Sequence, residues 1–368
     1  MSTQLPYQIA LTRLAQVGAV TAKTLVSYCG SAEAVFRAGK RELYKIPGIG
    51  KTVVEHVKAA DVEALAAREL AFLEQHGVQA LFYTDERFPA RLRQCYDCPA
   101  LLYFKGSSAE LLGAARMVGI VGTRQPTEQG RAICEELVEG LQPYGAVLIS
   151  GLAYGIDITA HRKATAIGVP NLGVLGHGLG SVYPAEHKGT ALKMLENGGL
   201  LSEYPHDAKP DRENFPMRNR IIAGLCDALV VVETATSGGS MITAELASQY
   251  ERDLFAVPGR VRDPKSAGCN LLLKSDKAKL IESAADLAAA MQWSVAGKPK
   301  PIQTQLFLEL NPTDKKVFEL IQQSPEIPID RLTEKAGLSP GELAALILNL
   351  EFKGVIRTLP GKRYVVSG

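Results

Sequence analysis

Between residues 117 and 257 one pattern recurs: a short apolar run, a break at small residues, then a helical stretch. Runs apolar at nearly every position suit strands buried on both faces. Their alternation with helices across short loops predicts a parallel α/β sheet. The first unit, 117–131, reads MVGIVGTRQPTEQGR. Val118, Ile120 and Val121 form the strand, Gly122, Thr123 and Arg124 break it, and a helix is predicted after Pro126. Loop N–H groups and a helix N-terminus aimed the same way favour an anion, and Arg124 adds a planar fork matched to phosphate.

The later units end alike. The strand 146–150 finishes at Ser150 and exits through Gly151 to Asp157, and 171–175 exits through Gly176 to Gly180, with Tyr183-Pro184 beyond. The strand 200–203 leads to a long loop, 228–233 exits through Thr234 to Ser240, and 253–257 runs into Pro258-Gly259. In a parallel sheet these exits share one edge, so glycine-rich loops after several strands predict a groove lined by backbone.

Smaller modules flank this core. Residues 1–78 read as short helices around Ile46-Pro47-Gly48-Ile49-Gly50-Lys51, the turn of a helix-hairpin-helix, with Val17-Gly18 a weaker copy. Gly50-Lys51-Thr52 mimics a Walker loop, but Lys45 stands where its first glycine belongs and no strand precedes it. Residues 79–116 supply two strands, which places the core at 79–293. Residues 294–310 have linker composition, and 311–368 suggest three helices and a hairpin turning at Pro360-Gly361, a winged helix. Its third helix has Glu342, Asn349 and Glu351 but no cation before Lys353, which disfavours groove reading of DNA and favours docking to protein.

Across 368 residues the net charge is only +2, so any nucleic-acid surface must come from local clustering. No apolar run approaches the ~20 residues a bilayer span needs, and no signal-peptide pattern opens the chain, so a cytoplasmic location without membrane contact is expected. Cys95 and Cys98 have metal-like spacing without a second pair, which reads as two reduced thiols. Asp157 and His161 lack a third partner for acid–base or metal work; a helix-start acid and a histidine ordering the Gly151 loop is the simpler reading.

The segment 214–224, NFPMRNRIIAG, is the most informative. Arg218 and Arg220 near a helix start stand against the macrodipole, which makes sense if an anion sits there; Phe215 adds a stacking face. The alternative makes Phe215 core and pairs the arginines with Asp211, Glu213 or Glu233. Gly238, Gly239 and Glu245 also fall at offsets of a phosphoribohydrolase loop, but Met241 replaces its third glycine and Thr243 comes one residue late. Hydrolysis of a nucleoside 5′-monophosphate is therefore a second expectation. A third is an adaptor whose flanking modules dock proteins. Gly176 to Gly180 lacks dinucleotide-binding spacing.

Six motifs then stand in one order: Val121 to Arg124, Ser150 to Asp157 with Ala160-His161, Gly176 to Gly180 with Tyr183-Pro184, Phe215 to Gly224, Gly239 to Thr243, and Phe255 to Gly259. Together they resemble the DNA-processing protein A family (DprA/Smf). The resemblance implies a Rossmann-like core with an N-terminal SAM-like helix-hairpin-helix module and a C-terminal winged helix. It implies a non-catalytic, cofactor-free and metal-free protein that binds single-stranded DNA and helps load RecA recombinase in natural transformation, usually as a homodimer. By position, the DNA groove would use Gly122, Thr123, Arg124, Ser150, Gly151, Phe215, Arg218, Asn219, Arg220, Gly238, Gly239 and Ser240. Family members often carry a basic residue after Tyr-Pro; here Ala185-Glu186 follow, and Lys188 is the expected substitute.

Overall fold

A computed structural model describes residues 3–295, 312–324, 327–353, 355–359 and 363–366. It divides into two compact units, Met1–Ala296 and Gly297–Gly368. The linker residues 296–310 and the turn at Pro360-Gly361 lie outside the described residues.

In the first unit nine strands form one sheet: β1 (Gln79–Phe82), β2 (Leu101–Gly106), β3 (Met117–Val121), β4 (Val147–Ser150), β5 (Asn171–Val174), β6 (Gly198–Ser202), β7 (Ala228–Val231), β8 (Asp253–Ala256) and β9 (Lys279–Leu280). Their order is β1-β2-β6-β5-β4-β3-β7-β8-β9. From β6 across to β9 every pairing is parallel, as the alternation predicts. The sheet as a whole is mixed, because β2 joins β6 antiparallel and β1 joins β2 antiparallel. The reason is connectivity. A parallel neighbour needs a crossover helix, and β1 and β2 precede the first such unit.

All of β3 is buried, and its residues divide between two cores. Met117 and Val121 pack with Val147 and Ile149 on one face; Val118 and Ile120 pack with Leu148 and Val230 on the other. Each such side chain contributes about 2 kcal/mol of burial free energy, which explains why these strands read as continuous apolar runs.

The N-terminal helices do not keep a core of their own. Ile9, Leu25, Val54 and Leu73 belong to one apolar cluster with Phe82, Leu101 and Tyr103 of β1 and β2. Polar contacts seal the junction. Buried Glu69 accepts from Arg13 at 3.1 Å and from His206 Nδ1 at 2.8 Å, and the His206 ring stacks on Phe72 at 4.5 Å. Arg13 also pairs with Asp207 at 3.6 Å, so one guanidinium bridges both acids of this cluster.

The second unit carries helices Pro312–Gln323, Ile329–Ala336 and Pro340–Phe352. Strands β10 (Ile327–Pro328), β11 (Ile356–Leu359) and β12 (Arg363–Val366) form an antiparallel sheet in the order β10-β12-β11. This is a winged helix, with the short strand β10 an addition to the sequence reading.

Candidate nucleic-acid interface

The loops leaving β3, β4 and β7 enclose a groove of about 730 Å³. It lies where the strand order reverses between β3 and β7, the position where open α/β sheets bind ligands.

The β3 exit is shaped by one acid. Glu233 accepts from Thr127 Oγ1 at 2.7 Å and from the Thr127 amide at 3.1 and 3.2 Å, at the start of the Glu128–Leu141 helix. The anion expected at this helix N-terminus is thus a carboxylate of the protein itself. That corrects the reading of the first unit as a phosphate cradle. Arg124 stays on the groove side, exposed, with its guanidinium carbon 6.0 Å from the centre of the Phe215 ring.

The β4 exit is held under tension. Leu152 is fully buried with φ of +54°, a left-handed conformation that costs a side-chain-bearing residue roughly 1–3 kcal/mol. Asp157 holds the turn by accepting from Gly151 N at 3.1 Å and Ala153 N at 3.4 Å, and His187 Nδ1 contacts Leu152 O at 2.8 Å. Gly155, at φ +80°, lies so close to the β3 exit that a Cβ there would sit 2.1 Å from Thr123 O. Ordering this loop therefore falls to Asp157 and His187. His161, the residue expected to do so, is fully buried with Nδ1 2.9 Å from Asn171 Oδ1.

Arg218 rises from the Asn214–Leu225 helix into the groove floor. Only 4% exposed, it donates from Nη1 to Gly151 O at 2.7 Å and to Val174 O, bridging the β4 and β5 exits. Burial lowers its pKa to about 10, against the opposing pull of Asp157, so it stays charged at neutral pH. Burial raises the Asp157 pKa, and the nearby Arg218 charge partly offsets this.

Arg220 is not a groove residue. Two positions along a helix turn a side chain by about 200°, so Arg220 leaves the face that Arg218 occupies. It is buried against Glu203, a partner outside the three acids weighed from sequence. Ser150 is fully buried and donates to Ile120 O at 2.6 Å, stitching β4 to β3. Lys188 is exposed and lies outside the groove lining.

Gly122, Thr123, Arg124, Gly151, Phe215, Arg218, Asn219, Gly238, Gly239 and Ser240 all line the groove. The Gly239–Gln249 helix opens onto it with its N-terminus, steadied by Ser240 Oγ donating to Thr234 Oγ1 at 2.6 Å. Tyr154, Tyr183 and Arg212 also line it and were missed from sequence. The signal was present, since both tyrosines sit inside the quoted glycine and Tyr-Pro motifs. Tyr183 lies 5.9 Å from Phe215, so these rings form an aromatic wall. Glu245, the acid of the phosphoribohydrolase reading, pairs with Lys277 at 3.0 Å and is not among the residues lining this groove. Cys95 and Cys98 are both buried, and Lys23 Nζ lies 3.2 Å from Cys98 Sγ.

Residues 79–292 match the sequence model of DNA recombination-mediator protein A. This chain belongs to that family. Residues 9–60 match a SAM-like helix-hairpin-helix tandem, and 303–362 match the DprA winged helix domain. Over 97% of its length the chain is 30% identical to Protein Smf of Synechocystis, covering 98% of that relative. The structure of DNA processing protein A from Streptococcus pneumoniae superposes with a TM-score of 0.67 at 30% identity, covering 80% of this chain and 99% of that one. A structure of DNA processing protein A from Helicobacter pylori, described for its single-stranded DNA binding mode, superposes with a TM-score of 0.54 at 30% identity, covering 59% and 97%. In this chain Glu186, two residues after the Tyr-Pro, accepts from Tyr154 OH at 3.1 Å, so an acid stands at that side of the groove. Among the described residues no helix is long and apolar enough to cross a membrane.

Proposed function

We propose that this protein binds single-stranded DNA in the groove by its sugar–phosphate backbone, without turnover, cofactor or metal, and passes the strand to RecA recombinase in natural transformation. One observation carries the reading. The groove brings an exposed guanidinium (Arg124), a buried one (Arg218), a helix N-terminus (Gly239) and an aromatic wall (Phe215, Tyr183) around mostly backbone surface. Cations and N–H groups suit phosphates, and rings stack on any base, so the set favours unpaired strands of any sequence. Gly122, Thr123, Gly151, Asn219, Gly238 and Ser240 complete the lining; Ser150 and Arg220 support it from behind.

The winged helix fits protein docking. Leu348 and Phe352, one turn apart on its third helix, are 54% and 83% exposed where a DNA reader would present cations. A homodimer is part of the same reading, with light scattering its test.

The deciding experiment is fluorescence anisotropy of labelled oligo-dT, with duplex competitor, on the wild-type chain and on Arg124→Ala and Phe215→Ala. The expected result is tight single-strand binding, weak competition, and a loss of roughly tenfold or more in each variant, in line with ~1–3 kcal/mol per stacked base. Undiminished binding in both variants would refute the groove.

A further inference from the structure

The Phe255-Ala-Val-Pro-Gly259 motif ends β8 and leads into a loop that the groove does not account for. Arg260, Val261 and Arg262 at its tip are all exposed, Val261 to 93%. Neither guanidinium has an ion-pair partner among the described residues. The loop is nonetheless firmly built. Asn270 clamps Gly259 from both sides, accepting from its amide and donating to its carbonyl, each at 3.1 Å. Asp263 Oδ1 accepts from the Lys265 amide at 2.9 Å.

The same segment is fastened to two walls of the groove. Lys265 Nζ donates to Gln125 O at 2.8 Å, next to Arg124, and Gly268 N donates to Thr234 O at 2.8 Å. Unpaired cations on a rigid loop thus continue the surface that Arg124 begins. On the β5 side, by contrast, the rim carries Glu186. The hollow of about 260 Å³ beneath the loop is lined by Glu128, Glu233 and Asp263 as well as by Arg260, and its three acids disfavour an anionic strand inside it.

We infer that the Arg260–Arg262 tip is a second phosphate-binding stretch, taking the single strand as it leaves the groove on the β8 side. Two guanidinium groups hold phosphodiesters, and Val261 offers an apolar surface to a sugar or base. This rests on the groove reading above, and the test separates the two.

Anisotropy would be measured with oligo-dT of about 6 nucleotides, which occupies only the groove, and of about 20, which extends past it. The Arg260→Ala/Arg262→Ala variant should bind the short strand as the wild type does and the long one about tenfold more weakly. Its salt slope should be lower by about 1.4, at ~0.7 for each phosphate no longer neutralised. Arg260→Glu/Arg262→Glu should deepen the long-strand loss. A control, Arg68→Ala/Arg162→Ala, removes two exposed cations elsewhere on the unit and should change nothing. An unchanged long-strand affinity, an equal loss on both strands, or an equal loss in the control would each overturn the inference while leaving the groove. A wild type that binds neither strand would remove the groove and this inference with it.

Discussion

Arg124 and Arg220 meet opposite fates, and each makes a separate prediction. Arg124 is exposed and Arg220 is buried against Glu203, so they should fail in different assays. Arg124→Ala should cost strand affinity and leave the melting temperature unchanged. Arg220→Ala leaves a buried carboxylate alone and should destabilise the fold by about 3–5 kcal/mol, while the folded fraction keeps its affinity. Urea unfolding beside anisotropy distinguishes them, and a stable but non-binding Arg220→Ala would return that residue to the groove. Arg218, which stitches two strand exits and floors the groove, should register in both assays. His161 gives a pH prediction. Burial lowers its pKa from 6.5 to about 4. Between those values the unfolded chain binds the extra proton, so stability is full above pH 6.5 and falls towards pH 4, by roughly 3 kcal/mol in all. His177 is shifted the same way, and Asp157, whose pKa burial raises, acts in the opposite sense. The difference in urea midpoint between about pH 7.5 and about pH 4.5 should shrink in His161→Gln.

At the scale of elements, the groove depends on loops pressed closer than side chains allow. A Cβ at Gly151 would meet Arg218 Nη2 at 2.6 Å and Asp157 Oδ2 at 2.7 Å. Gly151→Ala should therefore push apart the groups that hold the β4 exit, lowering strand affinity several-fold along with stability. Normal binding in a correctly folded variant would show that the loop tolerates the shift. The contrast with sequence reading is clearest at the first βα unit. The strand, break and helix of 117–131 were legible because local periodicity and turn chemistry specify them. That Glu233, over a hundred residues later, occupies the helix N-terminus was not, because nothing local encodes which acid arrives there. The Arg218–Arg220 pair failed differently. The helix start near Pro216 was read correctly, and spacing of two on a helix already implies opposite faces, but both arginines were assigned to one anion.

For the whole molecule, truncation from the two ends makes opposite predictions. Removal of 297–368 takes away a winged helix with its own core, so residues 1–296 should melt as before and bind oligo-dT unchanged. A large loss of binding would place DNA contacts on the wing. Removal of 1–78 strips the cover from β1 and β2, whose Phe82, Leu101 and Tyr103 pack with the N-terminal helices. That fragment should aggregate or melt far below the full chain, although the sequence marks 78/79 as a boundary. By itself the sequence determined the strand–helix alternation, the glycine-rich exits and the three kinds of module, because these follow from periodicity and from residues near in the chain, whereas the full set of groove residues was expected through the family resemblance. Tertiary structure alone decided that β1 and β2 run antiparallel, that Glu233 takes the first anion site, that Arg220 turns inward to Glu203, and that the loop after β8 is anchored beside Arg124. Each of these depends on which distant groups meet, and that is set by the packing of the whole sheet and its helices, not by local pattern.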